Sequence, residues 1–294
     1  GHPHLAIQIF EKLKADGIAV LGSYIVASSA FTKLGQWREA LGLLTELKSK
    51  NIDPGLLMQN SVLIACGRAK QIAAARTLFD EMRATSCINT TSYSILLDAL
   101  FRAELLLECD QLYQEAIDRC MFGELHSFKN QKFRLNVHSQ SLAIAIIALR
   151  RLLRQLIYEP EDQISGVLII SGTDRSSRKK QVLLPALQKV FFALDPELFA
   201  DIASSPPENF RGILSFGPDR MRKYVQVAKG RLKRLALTSA ETDLDCFPPR
   251  SMLYSFLVSD PEQVPSQNLQ RVDSSQTSSE LDRLLEEAIE SLKN

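Results

Sequence analysis

Apolar positions recur at helical spacing through roughly the first 120 residues, and the recurrence itself repeats. A five-residue box reads Ile9-Phe10-Glu11-Lys12-Leu13, then Leu43-Leu44-Thr45-Glu46-Leu47, Leu78-Phe79-Asp80-Glu81-Met82 and Leu112-Tyr113-Gln114-Glu115-Ala116. Its second positions, Phe10, Leu44, Phe79 and Tyr113, stand 34, 35 and 34 residues apart. A fixed period of this size predicts stacked helix pairs, none of which buries its apolar face without a neighbour.

Each unit reads as two helices, A and B. In one, helix A is expected over Ser23–Lys33 and helix B over Trp37–Lys50, with Gly35 in the turn at a positive-φ position and Pro54 as the stop. Ala40, Leu43, Leu44 and Leu47 form the buried stripe of helix B. The next unit pairs Asn60–Arg68 with Ile72–Ala84, and the third pairs Ser92–Arg102 with Leu106–Arg119. These stripes are core packing, so function falls to the helix A faces. The chain opens at Gly1 inside a helical box, so the array is expected to be an N-terminally truncated piece: half a repeat plus three over residues 1–125.

After Phe128 the period is lost. Short apolar strands (134–139, 166–171, 211–216) alternate with helical stretches (142–156, 182–194, 221–235), the order of a small α/β sandwich. The expected fold is thus an α solenoid of tandem helical hairpins followed by a small α/β (βαβαβ) sandwich over 129–235. Residues 195–210, with Pro196, Pro206 and Pro207, read as an inserted loop. Residues 236–294 read as a mostly disordered acidic tail, ending in a helix at 279–293 capped by Ser279.

The net charge of +1 over 294 residues hides an uneven spread. Residues 1–128 carry 12 Lys+Arg against 14 Asp+Glu, residues 129–234 carry 19 against 9, and residues 235–294 carry 4 against 11. A basic middle with a balance of 19 − 9 = +10 fits a polyanion partner. Five cysteines without a Cys-x-x-Cys pair read as reduced thiols, with no metal site and no cofactor implied. The longest apolar run, Leu142 to Leu149, is too short to span a membrane.

The repeat pattern resembles the pentatricopeptide repeat family. The carrying residues are Tyr24, Gly35, Glu39-Ala40-Leu41, the Leu-Leu-x-Glu-Leu box, Ile52-x-Pro54 and Tyr93-Ser94-Ile95-Leu96-Leu97-Asp98. The tetratricopeptide repeat has a similar period, but its Trp-x-x-Leu-Gly-x-x-Tyr signature is missing. The resemblance implies single-stranded RNA as partner, one base per repeat, and an organellar location in chloroplast or mitochondrion. It places the base-reading pairs at Ile25 with Gly55, Asn60 with Asn89, and Ser94 with Glu124. The Asn60/Asn89 pair is of the pyrimidine-reading kind; Ile25 and Gly55 offer no side-chain hydrogen bond to a base.

The second segment resembles the small MutS-related (Smr) domain. Leu135-Asn136-Val137-His138 stands where that family has Leu-Asp-x-His-Gly, and Ile169 to Arg178 stands where it has Thr-Gly-x-Gly-Lys/Arg-His-Ser. Asn136 replaces the family's acid, Ser139 a turn glycine, Asp174 the second loop glycine and Ser176 the loop histidine. His138 is then the one remaining catalytic candidate, while Arg175, Arg178, Lys179 and Lys180 are candidates for gripping phosphates. The expected function is RNA binding in organellar RNA processing, stability or translation, by binding rather than cleavage. The alternatives are an RNA endonuclease using His138, and a scaffold for protein partners. The stripe Leu281, Leu284, Leu285, Ala288, Ile289 and Leu292 of the last helix is expected to cover the body of the protein, with a protein partner or self-pairing as alternatives.

Overall fold

The computed structural model describes residues 2–123, 125–129, 132–138, 140–160, 163–171, 183–204 and 212–238. Two compact units emerge: Gly1–Ser127 with Leu135–Arg151, and Phe128–Arg134 with the chain from Leu152 onward.

The first unit is built on seven helices: α1 (Pro3–Ala15), α2 (Leu21–Leu34), α3 (Trp37–Ser49), α4 (Gly55–Arg68), α5 (Ile72–Ala84), α6 (Thr90–Arg102) and α7 (Leu106–Asp118). Helices α2, α4 and α6 are the A helices and pack on one another in succession; α1, α3, α5 and α7 are the B helices. The B helices are amphipathic, burying Leu43, Leu44 and Leu47 in α3 and Leu78, Phe79 and Met82 in α5. The A helices are buried on more sides, so α4 carries a continuous buried run from Met58 to Leu63 and a weaker periodicity.

Every helix boundary repeats with the array. Gly35, Lys70 and Glu104, one residue past or near the ends of the A helices, have φ of 73°, 57° and 62°. Gly17, Asn51, Ser86 and Cys120 do the same after the B helices, with φ of 71°, 56°, 55° and 56°. Each turns the chain through the left-handed region, which closes a helix by satisfying its last carbonyls. Gln71 N–H donates to Cys66 O at 2.9 Å and Leu105 N–H to Leu100 O at 3.0 Å, matching Gln36 N–H to Phe31 O at 2.9 Å.

Aromatic pairs and ion pairs tie one repeat to the next. Tyr24 meets Phe10 edge-on at 4.9 Å, and Tyr93 meets Phe79 at 5.1 Å. The same tyrosines donate their hydroxyls to Glu46 at 2.8 Å and Glu115 at 2.9 Å. In the middle repeat Leu44 and Gln59 take the places of the two rings, and Gln59 Oε1 is buried without a hydrogen-bond partner. A ladder of ion pairs runs outside: Lys14–Glu46 at 2.6 Å, Lys48–Glu81 at 2.5 Å and Arg83–Glu115 at 3.1 Å. Burial alone would raise the Glu46 carboxyl, but hydrogen bonds from Lys14, Lys50 and Tyr24 outweigh it and hold it at about 2.

Among the described residues no further A helix follows α7, and other groups take up its interactions. His126 takes the tyrosine's place: its ring lies edge-on to Tyr113 at 6.1 Å, with Nε2 2.9 Å from the Tyr113 hydroxyl. Burial, then the Arg151 charge, pushes the His126 imidazole down to about 4. The start of α8 (Leu142–Tyr158) packs here as well. Ser141 caps it, accepting from Ile144 N–H at 3.3 Å while its hydroxyl donates to Asp98 Oδ1 at 2.7 Å. Buried Arg150 pairs with Asp110, and Arg151 reaches Gln114. Ala143 to Leu149 are all buried, which is why this stretch is apolar all round.

A sheet of four strands has the order β1 (His126–Lys129), β2 (Lys132–Asn136), β3 (Gly166–Ile170) and β4 (Ile213–Phe216). The three expected strands are present, with β1 in addition. β3 and β4 are antiparallel, with Val167 opposite Phe216 and Ile170 opposite Ile213. A side chain at Gly166 would meet Phe216 O at 2.7 Å, so the close strand approach needs glycine there. Helix α9 (Leu183–Leu194), the short α10 (Ala200–Ser204) and α11 (Pro218–Thr238) follow. Phe191, Phe199, Phe216 and Tyr224 form an aromatic core with centroids 4.6 to 6.2 Å apart. Phe199 and Ile202, from the stretch read as an inserted loop, are buried in the second unit's core.

Candidate nucleic-acid interface

The A helices place a cation near their C-terminal ends at the repeat period. Lys33, Arg68 and Arg102 are 35 and 34 residues apart, and all three are exposed. None of them forms an ion pair among the described residues. The B-helix cations Lys14, Lys48 and Arg83 are spent on carboxylates instead. Residues 1–128 are thus slightly acidic in sum while keeping a row of cations outside the ion pairs. The sequence reading missed this row because it counted net charge; the 34–35 spacing that aligns the boxes would have found it.

Between α4 and α6 lies a pocket of about 210 Å³. Ile64, Ile95 and Ala99 line it with apolar surface, and Arg68, Asp98 and Arg102 with charge. Gly67 also lines it; a side chain there would meet Ala99 Cβ at 2.9 Å, so its absence lets the two helices close up. Burial raises the Asp98 carboxyl, opposed by the Ser141 hydrogen bond and the Arg102 charge.

The base-reading candidates have different surroundings. Ile25 is half-buried on α2. Gly55 opens α4 with φ of 68°, its N–H donating to Asp53 Oδ1 at 2.9 Å. Asn60 is buried, and its Oδ1 accepts from Ser92 Oγ at 2.8 Å. Asn89 caps α6, accepting from Ser92 N–H at 3.0 Å, so Ser92 lies within hydrogen-bond reach of both asparagines. Ser94 is half-buried and donates to Thr90 O at 2.8 Å. Glu124 lies outside the described residues, as do Arg175, Arg178, Lys179 and Lys180 and the helix expected at 279–293. His138 is exposed just after β2, its N–H 3.3 Å from Asn136 Oδ1. Among the described residues no cluster of His, Cys, Asp and Glu is arranged to hold a metal ion, and no helix is long and apolar enough to cross a membrane.

Tandem αα-hairpins with a lined A-helix face define the first unit as a helical-repeat array. Residues 1–116 match the family model described as "Pentatricopeptide repeat-containing protein". The N-terminal unit is a pentatricopeptide repeat array. A mitochondrial pentatricopeptide repeat-containing protein of Arabidopsis thaliana is 25% identical over 112 residues, 38% of this chain and 19% of its own. Another from the same plant is 31% identical over 129 residues, 43% and 18% of the two chains. A chloroplastic one is 35% identical over 80 residues, 26% and 10%. The chain thus spans less than a fifth of the length of these curated relatives. Two of these three names carry an organelle, the first mitochondrial and the last chloroplastic.

Proposed function

We propose that the protein binds single-stranded RNA along its A helices and acts in organellar RNA processing, stability or translation. The observation that carries this reading is the row Lys33, Arg68 and Arg102, one exposed cation per repeat without an ion pair among the described residues. A repeating positive charge beside apolar lining suits a polymer that repeats a phosphate beside a base. The second unit serves as an Smr-like RNA-contacting module, with Arg175, Arg178, Lys179 and Lys180 adding backbone grip. Binding is favoured over cleavage because residue 136, where the resembled family has an acid, is Asn, so no carboxylate stands there to polarise His138.

The test is the salt dependence of RNA affinity, followed by fluorescence anisotropy with a labelled oligonucleotide. Replacing Lys33, Arg68 and Arg102 together by Ala removes three phosphate contacts, so the slope of log K against log salt falls by about 2. An unchanged slope in a folded triple variant refutes the assignment of this row. Retention of a protein partner with no RNA affinity at low salt favours the scaffold reading instead.

A further inference from the structure

We propose that Asp98 reads the amino edge of one base held in the pocket between α4 and α6. The inference rests on the RNA-binding reading above and adds a specificity residue to it. The reader expected in the middle repeat, Asn60, is buried and already hydrogen-bonded to Ser92. Asp98 differs in that it lines an open pocket. Ser141 occupies only its Oδ1, at 2.7 Å, and Oδ2 makes no hydrogen bond among the described residues. The bond from Ser141 fixes the carboxylate while leaving one oxygen for a ligand.

The pocket's composition fits a nucleotide. Ile64 and Ile95 offer apolar contact to a planar ring, and Arg68 and Arg102 supply charge for the phosphate attached to it. At about 210 Å³ it is smaller than the roughly 300–1,000 Å³ typical of drug-sized ligands, which matches one base rather than a longer ligand. A carboxylate accepts and does not donate, so it favours a base with an exocyclic amine and disfavours a carbonyl at the same place. Cytosine, which presents an amine where uracil presents oxygen, is the pyrimidine selected.

The experiment measures affinity of the whole chain for short oligocytidylate and oligouridylate. Wild type is expected to prefer oligocytidylate by about tenfold, the effect of one hydrogen bond to a charged group. Asp98→Asn, which keeps an acceptor for Ser141 and adds a donor, brings the two within about twofold. Ser141→Ala, which removes both the bond that fixes the carboxylate and the cap of α8, leaves oligocytidylate preferred by a smaller margin. Ile95→Trp, which fills the pocket, abolishes the preference while the salt slope stays the same. Equal wild-type affinity for the two oligomers overturns the proposal, as does a preference that survives Asp98→Asn. Absence of binding to either oligomer at low salt overturns the RNA reading itself, which separates the two failures.

Discussion

Lys70, Ser86 and Glu104 close their helices at φ of 57°, 55° and 62°, positions where Gly17 and Gly35 serve in equivalent turns. A residue with a Cβ in the left-handed region carries a penalty of roughly 1–2 kcal/mol. Glycine removes that penalty but returns about 0.5–1 kcal/mol through the extra freedom of the unfolded chain. Each substitution to Gly therefore stabilises the array by about 0.5–1 kcal/mol. The three backbone amides donate to different carbonyls, Gly67, Arg83 and Phe101, so no bond is shared and the gains add. Lys70→Gly, Ser86→Gly and Glu104→Gly combined should contribute about 2 kcal/mol, raising Tm by roughly 4–8 °C for a unit of this size. Thermal unfolding followed by far-UV circular dichroism measures it. Gly35→Ala supplies the opposite sign, since it places a Cβ at φ of 73°. A triple-glycine variant that melts at or below the parent temperature refutes the reasoning, because it means the turns are not strained.

Gln59→Tyr should stabilise the middle repeat by about 1–2 kcal/mol, because it replaces a buried oxygen without a partner by a hydroxyl positioned for Glu81. Chemical denaturation reads it; a lower midpoint means that the ring does not fit beside Leu44. His126 gives a pH dependence. Its folded value of about 4 lies below the usual 6.5, so its stabilising effect is present above pH 6.5 and is lost as pH falls from there toward 4. The loss is on the order of 3 kcal/mol, and His126→Phe should flatten that part of the profile. A His126→Phe curve that parallels wild type between pH 6.5 and 4 rules this out.

Much of the array was legible because its cause is local. The 34–35 residue period, the buried stripes of the B helices and the Gly35 turn follow from helix geometry and the need of each hairpin for a neighbour, and the structure has them where the pattern falls. Helix starts were read two to five residues late, at Ser23, Asn60 and Ser92 against Leu21, Gly55 and Thr90. The A helices are buried on several sides, so polar Gln59, Asn60 and Ser61 in α4 blur the periodicity that marks a boundary. Strand β1 and helix α10 were missed for a similar reason: each is short, and Phe199 and Ile202 have meaning only once Phe191 and Phe216 are beside them.

By itself the sequence determined the repeat, its phase and the kind of surface it builds, since these depend on residues near one another along the chain. The tertiary structure decided which groups on that surface are available. Lys14 and Arg68 look alike in the sequence, yet one is neutralised by Glu46 from the next repeat and the other stands open beside a pocket. Asn60 and Asp98 both sit on A helices, yet one is bonded inside the stack and the other lines the pocket. Such differences come from partners more than thirty residues away, and only folding brings those partners within hydrogen-bond range.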